Sequence, residues 1–281
     1  MFGKGGAGKS TVTVFLARAL SERGYDVLVL DADSTNVGLA SALGAPREPD
    51  PLLDHFGGMV FSGGTVTCPV DDPTPLPGAE LALGNLAPRS VGWTPEGICL
   101  LQAGKLGALG PGAGCDGPVA KVARDLRVTG FGPDPVVVVD FKAGFEDAAR
   151  GAVTSVDWAL VVVDPTVAAL RMAKDLAEMV EQIRHGTPPA TRHLETPELV
   201  EEAIGVFRRS RVRGVRSVLN RIPTDVTEGY MREELSKGCA PPLGAFPVDT
   251  RVAEQWLRGE VLDSACLADV ARTLVDQIGV A

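Results

Sequence analysis

The sequence predicts an α/β protein built on a doubly wound, mostly parallel sheet with helices on both faces. Three observations carry that expectation. Gly3-Lys4-Gly5-Gly6-Ala7-Gly8-Lys9-Ser10-Thr11 has the Gly-x-x-x-x-Gly-Lys-Ser spacing of a phosphate-binding loop. Apolar runs at 27–30, 136–139 and 158–163 each end in an aspartate, namely Asp31, Asp140 and Asp164. Helical spacing lies between such runs, and buried strands alternating with helices make a parallel sheet covered on both sides.

Taken in order, residues 12–23 carry apolar positions Val14, Phe15, Leu16, Ala17 and Leu20 ahead of Gly24. This reads as a helix opened by the loop and stopped by a glycine. The run 27–30 is a short buried strand ending in Asp31-Ala32-Asp33. Residues 45–111 are rich in Pro and Gly, with short apolar runs at 58–61 and 98–101, so hairpins and loops are expected there. A helix follows over about 118–126, then strands over 136–139 and 158–163, and a helix over 167–184. A strand over 215–219 ends in Asn220-Arg221, the last strand spans 243–246, and 264–278 forms a closing helix. No internal repeat is present, and residues 1–281 read as one domain.

Of the 281 residues, 45% are hydrophobic and 22% charged. That is the ordinary balance of a globular chain, and it excludes whole-chain disorder. A net charge of −9 argues against nucleic acid as the main partner, since phosphate backbones need a basic face. Five cysteines, Cys68, Cys99, Cys115, Cys239 and Cys266, lie at wide spacings with no CxxC pair, which excludes a zinc ribbon. Neither a signal peptide nor an apolar run of roughly 18 residues is present, so no membrane anchor is expected. The expected setting is the cytoplasm, with reduced thiols.

The loop residues suit ATP phosphates. Glycines let backbone N–H groups turn inward and approach the anion. The helix that follows points its positive end at the same place. Lys9 is expected on the β- and γ-phosphates and Ser10 on Mg2+. Such a loop ordinarily follows a central strand, yet only Met1 and Phe2 precede Gly3. The first strand is therefore expected to be absent from this chain, with a gap in mid-sheet or another segment filling it.

With its extra lysine, Lys4-Gly5-Gly6-x-Gly8-Lys9-Ser10-Thr11 resembles the deviant Walker A loop of the MinD/ParA class of ATPases. That class includes the nitrogenase iron protein, the arsenite and tail-anchored-protein ATPases, and the CO-dehydrogenase nickel-insertion ATPases. The resemblance implies a homodimer in which Lys4 crosses to the partner's ATP. Asp31-Ala32-Asp33 resembles the family's D-x-D, whose second acid, here Asp33, orients the attacking water. Asp140 falls where the family's acid holds Mg2+ through water. The stretch from Phe141 to Glu146, then Arg150-Gly151, resembles the switch II of nickel-insertion ATPases, except that Lys142 replaces an acid. Asn220-Arg221 resembles the family's adenine-contacting Asn site, and Pro247-Val248-Asp249 with Val252 resembles the segment that closes over the base.

Gly112-Ala113-Gly114-Cys115-Asp116-Gly117 bears on the subclass. It resembles the G-x-G-C-x-G of the nitrogenase iron protein and the G-x-G-C-x-C of nickel-insertion ATPases. The first needs another cysteine within 141–151, and the second needs one at Gly117; neither is present. Two Cys115 thiolates and two Asp116 carboxylates could hold Ni2+ or Zn2+ across a dimer axis. The alternative is a lone small residue in a glycine-rich loop. The other four cysteines are expected in the core.

Arg208, Arg209, Arg211, Arg213 and Arg216 read as a solvated face. They close a segment, 186–213, that looks longer than the family's usual connection and is read as an insertion. His185 and His193 show no ligand spacing. The closing helix contains acids and lacks a basic membrane-binding face. The expected function is a dimeric Mg-ATP-hydrolysing switch that serves a client metalloenzyme. The alternatives are a partitioning or positioning ATPase that recruits another protein, and an electron donor like the nitrogenase iron protein.

Overall fold

The computed structural model describes residues 1–105, 115–133, 135–187, 194–238 and 240–279. In chain order the elements are β1 (Phe2–Gly3), α1 (Lys9–Glu22), β2 (Asp26–Ala32), α2 (Leu39–Leu43) and α3 (Leu52–His55). Next come β3 (Glu80–Ala82), β4 (Gly92–Trp93), β5 (Cys99–Gln102), α4 (Gly117–Asp125), β6 (Arg127–Thr129) and β7 (Pro135–Phe141). Then follow α5 (Glu146–Ala149), β8 (Trp158–Val163), α6 (Val167–Arg184), α7 (Pro197–Arg208) and β9 (Gly214–Ile222). The chain closes with α8 (Asp225–Ser236), β10 (Pro242–Pro247), α9 (Thr250–Arg258) and α10 (Ala265–Ile278).

The strands run β4-β5-β2-β7 on one side and β1-β8-β9-β10 on the other. Every pairing in these two runs is parallel except β4 with β5. The two runs meet at the start of the chain, where a gap was expected. Phe2 and Gly3 pair with Val161 and Val162 of β8. On the other edge the Met1 carbonyl accepts from the Phe141 N–H at 3.2 Å, and the Met1 amino group donates to the Val139 carbonyl. Phe2 stacks on Phe141 with ring centroids 4.6 Å apart. Three residues thus occupy the central position between β7 and β8 and deliver Gly3 to the loop.

Side chains alternate across the sheet, as period-two strands require. Leu28 and Leu30 of β2 and Val161 and Val163 of β8 enter one core with α4, α6 and α8. Val27 and Val29, with Leu160 and Val162, enter the other with α1, α2 and α10. The sheet is therefore covered on both faces. Helix starts are set by side-chain caps from Thr166, Thr196, Thr224, Asp249 and Ser264, each accepting a backbone N–H of the first turn.

Within 45–105 the structure adds to the expected hairpins and loops the short helix α3 and the strand β3, which pairs in parallel with β6, and residues 106–111 lie outside those described. β4 and β5 form the expected hairpin, yet β5 also pairs in parallel with β2 and belongs to the main sheet. Residue composition shows the turn at Thr94–Ile98 but not the long-range partner. Helices α2, α3, α5, α7, α8 and α9 were not foreseen. Cys68 and Cys99 are buried as expected, but Cys266 is exposed. It begins the turn of α10 that faces solvent, while Leu267, Ala271, Leu274 and Val275 face the core. No helix among the described residues is long and apolar enough to cross a membrane.

Candidate functional site

The site forms at the carboxyl ends of the central strands, where β1 gives way to α1. Gly6 and Gly8 take positive φ values of 79° and 92°. Gly8 is constrained twice, because a Cβ there would lie 2.1 Å from Asn220 Nδ2. That amide is buried at the end of β9 and donates to the Ala7 carbonyl at 2.7 Å. Its neighbour Arg221, itself at φ 58°, donates to the Gly6 carbonyl at 2.7 Å. These two bonds hold loop carbonyls outward from the loop's interior, and the Ala7 N–H bonds back to the Lys4 carbonyl at 3.1 Å. Thr11 Oγ1 accepts from Trp256 Nε1 of α9 at 2.9 Å. Lys9 is buried as the first residue of α1. Lys4 stays 37% exposed, with its amine 3.6 Å from Asp164 and donating to the Gly5 carbonyl at 3.4 Å. Gly3, Gly5 and Ser10 complete the loop.

A buried polar corner lies beside it. Ser10 Oγ donates to Asp140 Oδ2 at 2.5 Å and accepts from Asn36 Nδ2 at 2.9 Å. Asp140 is fully buried, and its Oδ1 has no hydrogen-bond partner. Burial pushes this carboxyl up, opposed by the Ser10 hydroxyl and the Lys9 charge. An orphaned carboxylate oxygen at the end of a central strand is a strong acceptor for a cation or its water shell. The residues present fit Mg2+.

Asp33 sits in the loop after β2. Its Oδ1 accepts from the Thr35 N–H at 3.0 Å, the Thr35 hydroxyl at 2.9 Å and the Asn36 N–H at 3.0 Å. This turn places Asn36 on Ser10. Lys105 fixes the same loop from below, donating to Asp31 Oδ2 at 2.7 Å and to the carbonyls of Asp33 and Asn36 at 2.6 and 2.5 Å. Burial pushes Asp31 up to about 7 even though Lys105 opposes it. Sequence reading missed Lys105, Asn36 and Trp256. No local pattern marks them, because each acts across tens or hundreds of residues.

The residues expected to border a base lie on separate elements. Pro247 ends β10. Asp249 caps α9 through the Val252 N–H at 3.1 Å and accepts from Ser264 Oγ at 2.6 Å. Its carboxylate thereby anchors the segment.

A second cluster lies before α4. Cys115 Sγ accepts from the Gly117 N–H at 3.3 Å. Asp116 Oδ2 pairs with Lys142 at 2.5 Å and Oδ1 with Arg150 at 2.9 Å. Burial works against it, yet Lys142 and Arg150 hold the Asp116 carboxyl below its usual range. Lys142 and Arg150 both follow Asp140 closely in sequence, so the segment after β7 is tied directly to the cysteine loop. Gly112, Ala113, Gly114, His193 and Cys239 lie outside the described residues. His185 is 80% exposed beside Glu181. Of the arginine stretch, Arg216 lies over the Trp158 ring at 4.4 Å. No group of three or more His, Cys, Asp and Glu residues among those described could hold a metal.

Known proteins resemble this chain along most of its length. A family model described as the CobQ/CobB/MinD/ParA nucleotide binding domain matches residues 1–262. The carbon monoxide dehydrogenase accessory protein CooC of Rhodospirillum rubrum is 34% identical over 259 residues, covering 89% of this chain and 83% of its own. An uncharacterized ATP-binding protein of Methanocaldococcus jannaschii is 31% identical over 183 residues, 64% of this chain and 72% of its own. The septum site-determining protein MinD of Pyrococcus horikoshii OT3, solved with Mg-ADP, matches with a TM-score of 0.58 at 19% identity. That match covers 99% of this chain and 93% of the other and shows the shared fold.

Proposed function

We propose that this chain, which belongs to the CobQ/CobB/MinD/ParA nucleotide-binding family, is a Mg-ATP-hydrolysing switch that pairs with a second copy of itself and serves metallocentre maturation. The observation that carries the nucleotide part is the Ser10–Asp140 corner, with its buried orphaned oxygen, at the foot of a glycine loop and a helix N-terminus.

In this reading Gly5, Gly6 and Gly8 present backbone N–H groups to the phosphates, Gly3 and Ala7 shape the loop around them, Lys9 reaches the β- and γ-phosphates and Thr11 lies beside them. Ser10 and Asp140 would hold Mg2+, which would supply positive charge to neutralise the phosphates. Asp33 orients the attacking water, and Lys4 stabilises charge across the pair of copies. Asn220, Arg221 and Pro247 border the base, and Asp249 holds the closing segment. Phosphoryl transfer needs little more than such positioning and charge neutralisation. The ion pairs from Lys142 and Arg150 to Asp116 then give the segment that resembles switch II a handle on Cys115. The likeness to CooC supports a metallocentre role, with nickel or zinc as cargo and a metalloenzyme as client.

The test is the mass of the full chain in solution with Mg2+ and a non-hydrolysable ATP analogue. Doubling in the wild type and none in Lys4→Ala supports the reading. Tight analogue binding without doubling would overturn the paired switch.

A further inference from the structure

Cys68 and Cys115 are distant in sequence and meet across one residue. That residue is Gly117, the first of α4. A Cβ on Gly117 would lie 2.3 Å from Cys68 Sγ and 2.7 Å from Cys68 Cβ. No side chain fits there, because the Cys68 thiol already fills the space that a side chain at 117 would take. On the backbone side, the Gly117 N–H points at Cys115 Sγ, 3.3 Å away. The two sulfurs therefore flank the same glycine.

The placement of Cys68 is secured by its surroundings. The Cys68 carbonyl accepts from the N–H groups of Asp71 and Asp72 at 3.1 and 2.9 Å, which makes a tight turn. Lys121 of α4 is buried and ties that turn to the helix, through Thr67 at 2.9 Å and Asp72 at 3.1 Å. Burial pushes the Cys68 thiol up, and Cys115 is near enough for its charge to add to the rise. Asp116, next to Cys115, has both oxygens on cations. The two sulfurs are the soft donors of the cluster. Paired thiolates favour late, thiophilic cations over Mg2+, which prefers oxygen.

We propose that Cys68 and Cys115 form one thiolate pair that takes a thiophilic divalent cation of the nickel or zinc class, with Cys68 supplying the sulfur that residue 117 does not. This rests on the metallocentre reading above, and it assigns to Cys68 a role that its burial and its distant position conceal. Each thiol releases its proton to solvent as the cation binds.

The test is a Co2+ titration of the reduced full chain, read as thiolate-to-cobalt charge-transfer absorbance. Wild type and Cys266→Ser should give the same band. Cys68→Ser and Cys115→Ser should each bind at least about tenfold more weakly. The decisive variant is the exchange Cys68→Gly with Gly117→Cys, which returns a sulfur to the same space from the other segment and should restore the band. A merely structural Cys68 would not be rescued this way. The proposal is overturned if Cys68→Ser matches wild type, if wild type gives no band, or if the exchange fails while still binding the ATP analogue. Analogue binding is measured on every variant. Its loss in wild type beside an intact band would sink the nucleotide reading and leave the thiol pair standing.

Discussion

The phosphate loop and the thiol cluster both depend on a glycine that admits no Cβ, yet they are assembled in opposite ways. The loop is contiguous, residues 3–11, and only its bracing from Asn220, Arg221 and Trp256 is remote. The thiol cluster is remote throughout. Cys68, Cys115 to Gly117, Lys142 and Arg150 come from three separated segments. A contiguous site is stable as a motif and legible as one. A composite site exists only when the surrounding fold is complete, and its chemistry can be re-partitioned between segments.

That contrast can be broken or sharpened. The largest effect is expected for Lys9→Ala, which should lower Mg-dependent phosphate release by about 10^2–10^3-fold and leave Co2+ binding without nucleotide unchanged. Gly8→Ala comes next. Its Cβ would meet Asn220 Nδ2 at 2.1 Å in a left-handed conformation, so a loss of about 2–3 kcal/mol is expected in urea unfolding. Gly6→Ala, with open space around its Cβ, should lose only the backbone term of about 1 kcal/mol. Equal losses at the two positions would show that Asn220 does not brace the loop.

In the composite cluster, Asp116→Asn removes the partner of two cations and should lower stability by about 1–2 kcal/mol while leaving ATP-analogue affinity within about twofold, a change worth less than 1 kcal/mol. The smallest effect is a pH slope. Burial pushes Asp147 up to about 6, with Asp116 adding to the rise. A carboxyl raised in the folded state binds more protons there than when unfolded. Its stabilisation is therefore complete below the ordinary value of 3.8, and it is lost as pH rises toward about 6. Urea midpoints of wild type should fall across that window, and Asp147→Asn should flatten the fall.

The sheet was legible because its signals are local. Runs such as 136–139 and 158–163 are apolar enough to be buried on both faces, and the loop glycines announce the turn into α1. The order of strands was not, because β5 joins β2 through pairing that no window of residues 45–111 contains. Three residues filling the centre of the sheet were equally hidden, since a two-residue strand has no periodicity to read. The role open to Ser10 could be framed from the loop pattern, and those of Asp140 and Asp33 from the family resemblance. Lys105 and Cys68 could not, since each matters only through a neighbour that folding brings to it.

The most direct test of the central claim is phosphate release from ATP by the full chain, with and without Mg2+, in wild type and Asp140→Asn. Mg2+-dependent release in the wild type, lowered at least tenfold in the variant, is the expected result. Release that is independent of Mg2+, or no Mg2+-dependent nucleotide binding at all, would contradict the assignment of this corner as the seat of the chemistry.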